Sequence, residues 1–176
     1  MKRAALLCIV LAAALAAPGA RADKSDRDKP TQIEANKMSA DDARRMTIFE
    51  GSVVLTRGTI RLTAEKVVVR QDAEGYQLST ATGKPVRFRQ RQDPKPPATE
   101  GVWLEGEALR MEMDDRSGKI ELFESARVTR GGDEVVGNYI LVDQRSEFFQ
   151  VSSGKGESGR VRATLQPKTP LLDEKK

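Results

Sequence analysis

Apolar residues recur two apart, rather than three or four apart, along almost the whole chain, which is the period of β-strands. One kind of block returns four times: Ala35-Asn36-Lys37-Met38-Ser39-Ala40, Ala64-Glu65-Lys66-Val67-Val68-Val69, Gly106-Glu107-Ala108-Leu109-Arg110-Met111 and Gly137-Asn138-Tyr139-Ile140-Leu141-Val142. Each is a small residue, then Glu or Asn, then alternating apolar positions. The blocks begin 29, 42 and 31 residues apart, room in each interval for a second strand, a turn and a return. The connections repeat as well: Phe49-Glu50-Gly51-Ser52-Val53-Val54-Leu55-Thr56-Arg57-Gly58 comes back, one residue shorter, as Phe123-Glu124-Ser125-Ala126-Arg127-Val128-Thr129-Arg130-Gly131. Both end in Arg-Gly, where glycine supplies the positive φ of a tight hairpin turn. The pattern predicts stacked antiparallel hairpins forming a sheet that must bury one face and protect its edges.

Element by element, strands are predicted at Gln32–Ser39, Arg45–Thr56 and Thr59–Arg70. Two short ones, punctuated by Gly75 and Gly83-Lys84-Pro85, follow, the second being Val86-Arg87-Phe88. Val102–Met113, Lys119–Arg130, Glu134–Asp143, Phe148–Ser152 and Arg160–Leu165 complete the set. Within Thr59–Arg70, Ile60, Leu62 and Ala64 share a face, and Val67 and Val69 take over after a change of phase near Glu65. Such a change marks a bulge or a sheet corner. Gln92–Thr99 holds three prolines, which remove ladder donors, so it reads as a loop inside the domain. No long segment has the helical period.

The aromatic share is 5% with a single tryptophan, little bulk for filling a large β interior. An incompletely filled interior lined by Val, Leu, Ile and Met would be a groove for something apolar, with Leu109, Met111 and Met113 lining one stretch. An ordinary packed core fits the same pattern.

The ends change the charge picture. Met1-Lys2-Arg3, the apolar stretch Ala4–Ala17 and the Ala20-Arg21-Ala22 site read as a cleaved secretory signal over residues 1–22, with a periplasmic mature chain starting at Asp23. Residues 23–31 read as a flexible lead-in, 32–165 as one domain and 166–176 as a disordered tail. Removing Lys2, Arg3 and Arg21 leaves 27 basic residues against 26 acidic, a balance that speaks against nucleic-acid binding. Arg87, Arg89 and Arg91 fall on one strand face and read as solvated.

Chemistry is constrained by what the chain lacks. It has no histidine, and its one cysteine, Cys8, lies in the signal. The usual neutral-pH base, the commonest zinc ligands and every His- or Cys-based triad are therefore missing from the mature sequence. Asp41 with Asp42 and Asp114 with Asp115 are adjacent, so on a strand they point to opposite faces, and both pairs suit hairpin turns better than a catalytic dyad. There is no phosphate-binding Gly-x-x-x-x-Gly-Lys-Ser/Thr loop. The expectation is a protein that is not an enzyme and carries no metal or cofactor.

Phe49-Glu50-Gly51-Ser52-Val53, Thr56-Arg57-Gly58-Thr59-Ile60, Ala64 to Val69, Gly83-Lys84-Pro85 with Phe88, and Glu105-Gly106 together resemble the OstA-like family, over roughly Ile33 to Leu165. The resemblance implies an all-β fold, an open twisted β-jellyroll of about sixteen antiparallel strands, whose groove holds the acyl chains of lipopolysaccharide. It implies head-to-tail self-association and a bridge between an LptC-like inner-membrane partner and an LptD-like outer-membrane partner. An LptC-like chain would keep a membrane anchor, which the cleavage site argues against. Phe88 falls where the family has a groove-facing aromatic, Met113 where it often has tyrosine, and Thr31 where it often has an apolar residue. Alternation and resemblance together nominate Ile33, Ile60, Leu62, Val67, Val69, Phe88, Leu109, Met111 and Met113 as the lipid-facing set. The competing reading is a structural adaptor that joins periplasmic partners by strand addition without lipid cargo.

Overall fold

The computed structural model describes Asp26, residues 29–92, Pro94, and residues 100–146, 148–153 and 159–167. The predicted signal, most of the proline-rich loop and the end of the tail lie outside these. Ten strands account for the regular structure: β1 (Gln32–Glu34), β2 (Lys37–Asp41), β3 (Met46–Arg57), β4 (Ile60–Gln71), β5 (Gln77–Arg91), β6 (Trp103–Asp114), β7 (Lys119–Arg130), β8 (Asp133–Asp143), β9 (Phe149–Ser152) and β10 (Arg162–Thr164). All pairings are antiparallel, in the order β1-β3-β4-β5-β6-β7-β8-β10, with β2 beside β3 and β9 beside β8. The sheet does not close on itself: β1 and β2 form one edge, β9 and β10 the other.

The long strands are each bent once, and the bends line up across the sheet. Register shifts fall at Glu50/Val53, Thr63/Lys66, Thr82/Val86, Glu107/Arg110 and Phe123/Ala126. The gap between β1 and β2 continues the line at one side, where the Asn36 N–H donates to the Gly51 carbonyl (2.9 Å). Six long strands bent into two and four short ones make sixteen half-length strands. They form two half-sheets of eight, the jellyroll arrangement.

The repeated blocks are the bends. Ala35-Asn36, Ala64-Glu65, Glu107-Ala108-Leu109 and Asn138 sit on the line of register shifts, as do Gly51-Ser52 and Glu124-Ser125 from the repeated connections. In each of those connections two consecutive residues take positive φ: Gly51 (81°) with Ser52 (49°), and Glu124 (65°) with Ser125 (53°). The phase change at Glu65 is likewise the β4 bulge. Gly58 and Gly131, with φ of 59° and 55°, close the Arg-Gly turns as the pattern requires.

Two predicted elements differ. Gln32–Ser39 is split at Ala35-Asn36 into β1 and β2, because the bulge redirects the Asn36 amide to Gly51. The two short strands around Gly83-Lys84-Pro85 are one bent strand, β5; Pro85 falls where the ladder is interrupted, so its missing donor removes no ladder bond. Asp41 and Asp114 are strand-end residues whose carboxylates accept turn amides, from Arg44 (3.0 Å) and Arg116 (2.9 Å) respectively. These are Asx-type turn roles.

The core lies between the half-sheets. Leu62, Phe88, Leu104 and Val128 come from one, Val67, Met111, Leu122 and Ile140 from the other, all buried in a single cluster. The bend is what turns these two sets toward each other, so its geometry should be costly to alter. A Cβ on Gly51 would lie 2.6 Å from Asn36 Nδ2 and 2.9 Å from Asn36 Cβ, at a φ that disfavours side chains. Gly51→Ala is expected to destabilise the fold by about 1–3 kcal/mol, measured as a lower midpoint in denaturant; an unchanged midpoint would contradict the role given to the bend.

Candidate apolar interior and open edges

The interior surface is built by alternation that resets at each bend. On β6, Leu104, Gly106 and Ala108 face inward before the bulge and Met111 and Met113 after it. On β4, β5 and β6 the reset puts even-numbered positions inside on one half-sheet and odd-numbered ones on the other, whereas the two-residue bulges of β3 and β7 keep the parity. Of the nine nominated residues, Leu62, Val67, Phe88 and Met111 are buried in the core, and Ile33, Ile60, Val69 and Met113 are half-buried and packed against it. Leu109 is not among them. It sits in the β6 bulge itself and is 40% exposed, against 1% for Met111, because uninterrupted alternation through Leu109, Met111 and Met113 ignores the extra residue.

The nomination also missed β7 and β8. Ile120, Leu122, Val128 and Ile140 are all buried in the same core. Their signal was present, since Ile120, Leu122, Ala126 and Val128 keep two-residue spacing on either side of the second positive-φ pair.

Between the half-sheets lies a small void. It measures about 10 Å³ and is lined by Phe88, Leu104 and Gly106 from one half and Ile120, Leu122 and Val142 from the other. That is room for roughly one water. The half-sheets approach closely: a Cβ on Gly106 would lie 3.1 Å from Leu122 Cδ2. At one rim Gln144, just past β8, donates from Nε2 to Gln90 Oε1 on the opposite half (3.1 Å). Nearby, Asp26 accepts from the Thr59 amide (2.7 Å) and hydroxyl (2.6 Å), which pins the chain ahead of β1 to the β3–β4 turn.

The outer face is charged and carries several ion pairs. Lys66 bridges to Glu50 (2.9 Å), and that hydrogen bond holds the Glu50 carboxyl below its ordinary range. Arg110 lies over the Phe123 ring (3.7 Å) and pairs with Glu112. The Tyr139 hydroxyl donates to Glu121 (2.5 Å); burial first, and this bond second, push its pKa up to about 12, so it is a fixed donor at neutral pH. The edges differ from both faces. Among the described residues, β1 and β2 on one side, and β9 and β10 on the other, each have one strand neighbour, so each presents an open edge.

Fold and site together define a class: an unclosed antiparallel jellyroll with an apolar seam inside and two strand edges free to pair. Residues 32–148 match the model of the LptA/(LptD N-terminal domain) LPS transport protein family. The chain is 32% identical over 165 residues to the lipopolysaccharide export system protein LptA of Escherichia coli K12, covering 92% of this chain and 85% of that one. It is 27% identical over 164 residues to the lipopolysaccharide export system protein LptH of Pseudomonas aeruginosa, covering 90% and 91%. Among solved structures, the crystal structure of Pseudomonas aeruginosa LptH, described as the LptA-homologous periplasmic component of a lipopolysaccharide transport device, superposes with a TM-score of 0.69 at 25% identity. The match covers 81% of this chain and 99% of that one. The chain belongs to the LptA/(LptD N-terminal domain) family, the OstA-like family that its motifs resemble.

Truncating across the seam should be felt where truncating the bulge is not. Leu122→Ala is expected to cost about 2–5 kcal/mol and Leu109→Ala within about 0.5 kcal/mol in equilibrium unfolding. Equal losses would mean that the inward set is misassigned.

Proposed function

We propose that this protein is a periplasmic, non-enzymatic carrier that binds lipopolysaccharide through its acyl chains and links the inner- and outer-membrane components of an export bridge. The observation that carries the reading is the apolar seam between two half-sheets whose outer strands have, among the described residues, one neighbour each. Such a seam offers acyl chains a surface without backbone donors or acceptors, since the ladder satisfies those. With a void of about 10 Å³, cargo enters only as the half-sheets part at the bends. Met111 and Met113, unbranched and polarizable, line the seam with side chains that re-pack around a guest. Ile33, Ile60, Leu62, Val67, Val69 and Phe88 complete the proposed lining.

Strand addition joins the carrier to its neighbours. An incoming strand satisfies the unpaired groups of β1 or β10 and continues the sheet, so successive seams align. In this reading the edge formed by β1 and β2 receives an LptC-like inner-membrane partner, the edge formed by β9 and β10 an LptD-like outer-membrane partner, and copies of the chain pair head to tail between them. Residues 1–22 would direct export and be removed. Movement is powered elsewhere.

The adaptor alternative keeps the edges and drops the cargo, and a closed interior is what it would show at all times. A photoreactive side chain separates the two readings. Placed at Phe88, it is expected to crosslink lipopolysaccharide in cells, whereas at exposed Leu109 it is expected to give none; equal yields, or none at either position, would leave only the adaptor. Met111→Asp is expected to abolish lipopolysaccharide binding, because an unpaired charge in the seam is expensive; a folded variant that binds like the parent would sink the cargo claim. For the joint, removing the chain from Arg160 onward is expected to abolish concentration-dependent growth in mass by light scattering. Removing it from Lys168 onward should leave that growth intact, and identical behaviour of the two truncations would rule out β10 as the joint.

A further inference from the structure

On the side of the sheet facing away from the seam lies a cleft of about 540 Å³, floored by β4 to β7. That volume is in the range of small-molecule sites. The register lays two rows of side chains across it. In one, Thr63, Arg87, Glu107 and Arg127 are successive cross-strand neighbours. This row is internally compensated: Glu107 pairs with Arg87 (3.6 Å) and Arg127 (3.9 Å), and Arg127 also reaches Glu134 (2.9 Å).

The other row, Arg61, Arg89, Glu105 and Thr129, is not. Arg61 and Arg89 stand directly opposite each other, a like-charge cross-strand pair that opposes sheet formation. Among the described residues no carboxylate lies within ion-pair distance of either guanidinium. Arg89 turns from its neighbour Glu105 and stacks on the Trp103 ring, 5.1 Å from the centroid. Two adjacent cations without an anion, beside an uncommitted carboxylate and a threonine hydroxyl, form an incomplete set of partners.

We propose that this cleft binds a phosphorylated saccharide. The phosphoryl group sits between Arg61 and Arg89, where two guanidinium forks supply charge-assisted donors and relieve the like-charge pair. Glu105 and Thr129 accept and donate to sugar hydroxyls. The site lies on the face opposite Phe88's side chain, so it does not depend on what the seam carries.

Trp103 is the chain's only tryptophan, and Arg89 touches its ring, so the protein carries its own reporter. At low ionic strength, glucose 6-phosphate is expected to change its fluorescence saturably, glucose to leave it unchanged and inorganic phosphate to bind more weakly. Arg61→Gln, an exposed change checked for folding by circular dichroism, is expected to weaken glucose 6-phosphate binding at least about tenfold while leaving crosslinking from Phe88 intact. Acyl-free lipopolysaccharide core tested in parallel assigns the source: tighter binding than glucose 6-phosphate points to a lipid headgroup, weaker binding to a free sugar phosphate. No saturable change, an unaltered response in Arg61→Gln, or inorganic phosphate bound as tightly as glucose 6-phosphate would overturn the assignment.

Discussion

The line of bends across the sheet is the constraint on which the remainder of the structure depends. A twisted antiparallel sheet of this length, left straight, exposes one whole apolar face to water. Bending every long strand at the same level folds that face onto itself and buries Phe88, Leu104 and Val128 against Ile120 and Leu122 without a second sheet or a helix. The cost is local and visible: two pairs of consecutive positive-φ residues, Gly51-Ser52 and Glu124-Ser125, and a broken ladder in each strand. The burial offsets it, at roughly 1.5–3 kcal/mol for each large side chain taken fully out of water.

The same device leaves the edges free. A barrel would use its last strand to satisfy its first; here the folded-over sheet buries its apolar face by bending, so β1 and β10 need not meet. The fold thereby combines an interior closed within one chain with outer strands that have a sheet neighbour on one side among the described residues. The outer surface is charged and in places paired within itself, as in the Lys66–Glu50 and Tyr139–Glu121 contacts. The Arg61–Arg89 pair sets two like charges directly opposite each other instead.

Much of this was legible in the chain. Strand period, the Arg-Gly turns and the recurrence of the blocks give an all-β hairpin stack, and the phase change at Glu65 reveals one bend outright. The motifs of Phe49 to Val69 carry the family. What the one-dimensional pattern hid was the meaning of the repeat: the blocks mark bends, and in β4, β5 and β6 the bend shifts the inward parity of the residues after it, whereas β3 and β7 keep theirs. Leu109 was nominated for that reason, by running alternation through a bulge that two-residue spacing cannot register. Ile120, Leu122 and Ile140 carry the same two-residue spacing, but spacing alone does not say which face of β7 and β8 turns inward. The arginine-lined cleft was invisible for another reason. Arg87 and Arg89 are two apart and read as one solvated face, and only the cross-strand register shows that Arg87 lies between Thr63 and Glu107 while Arg89 lies between Arg61 and Glu105.

The central claim, that the two half-sheets part at the bends to admit acyl chains, is tested most directly by the distance between spin labels on Gln90 and Gln144. These residues face each other across the rim, one on each half. The chain has no cysteine beyond Cys8, so labels attach at the two engineered positions alone once residues 1–22 are omitted. Pulsed electron resonance should give a single short distance in the free protein and a distribution shifted several ångströms longer at saturating lipopolysaccharide. A distance unchanged at saturation would contradict the claim.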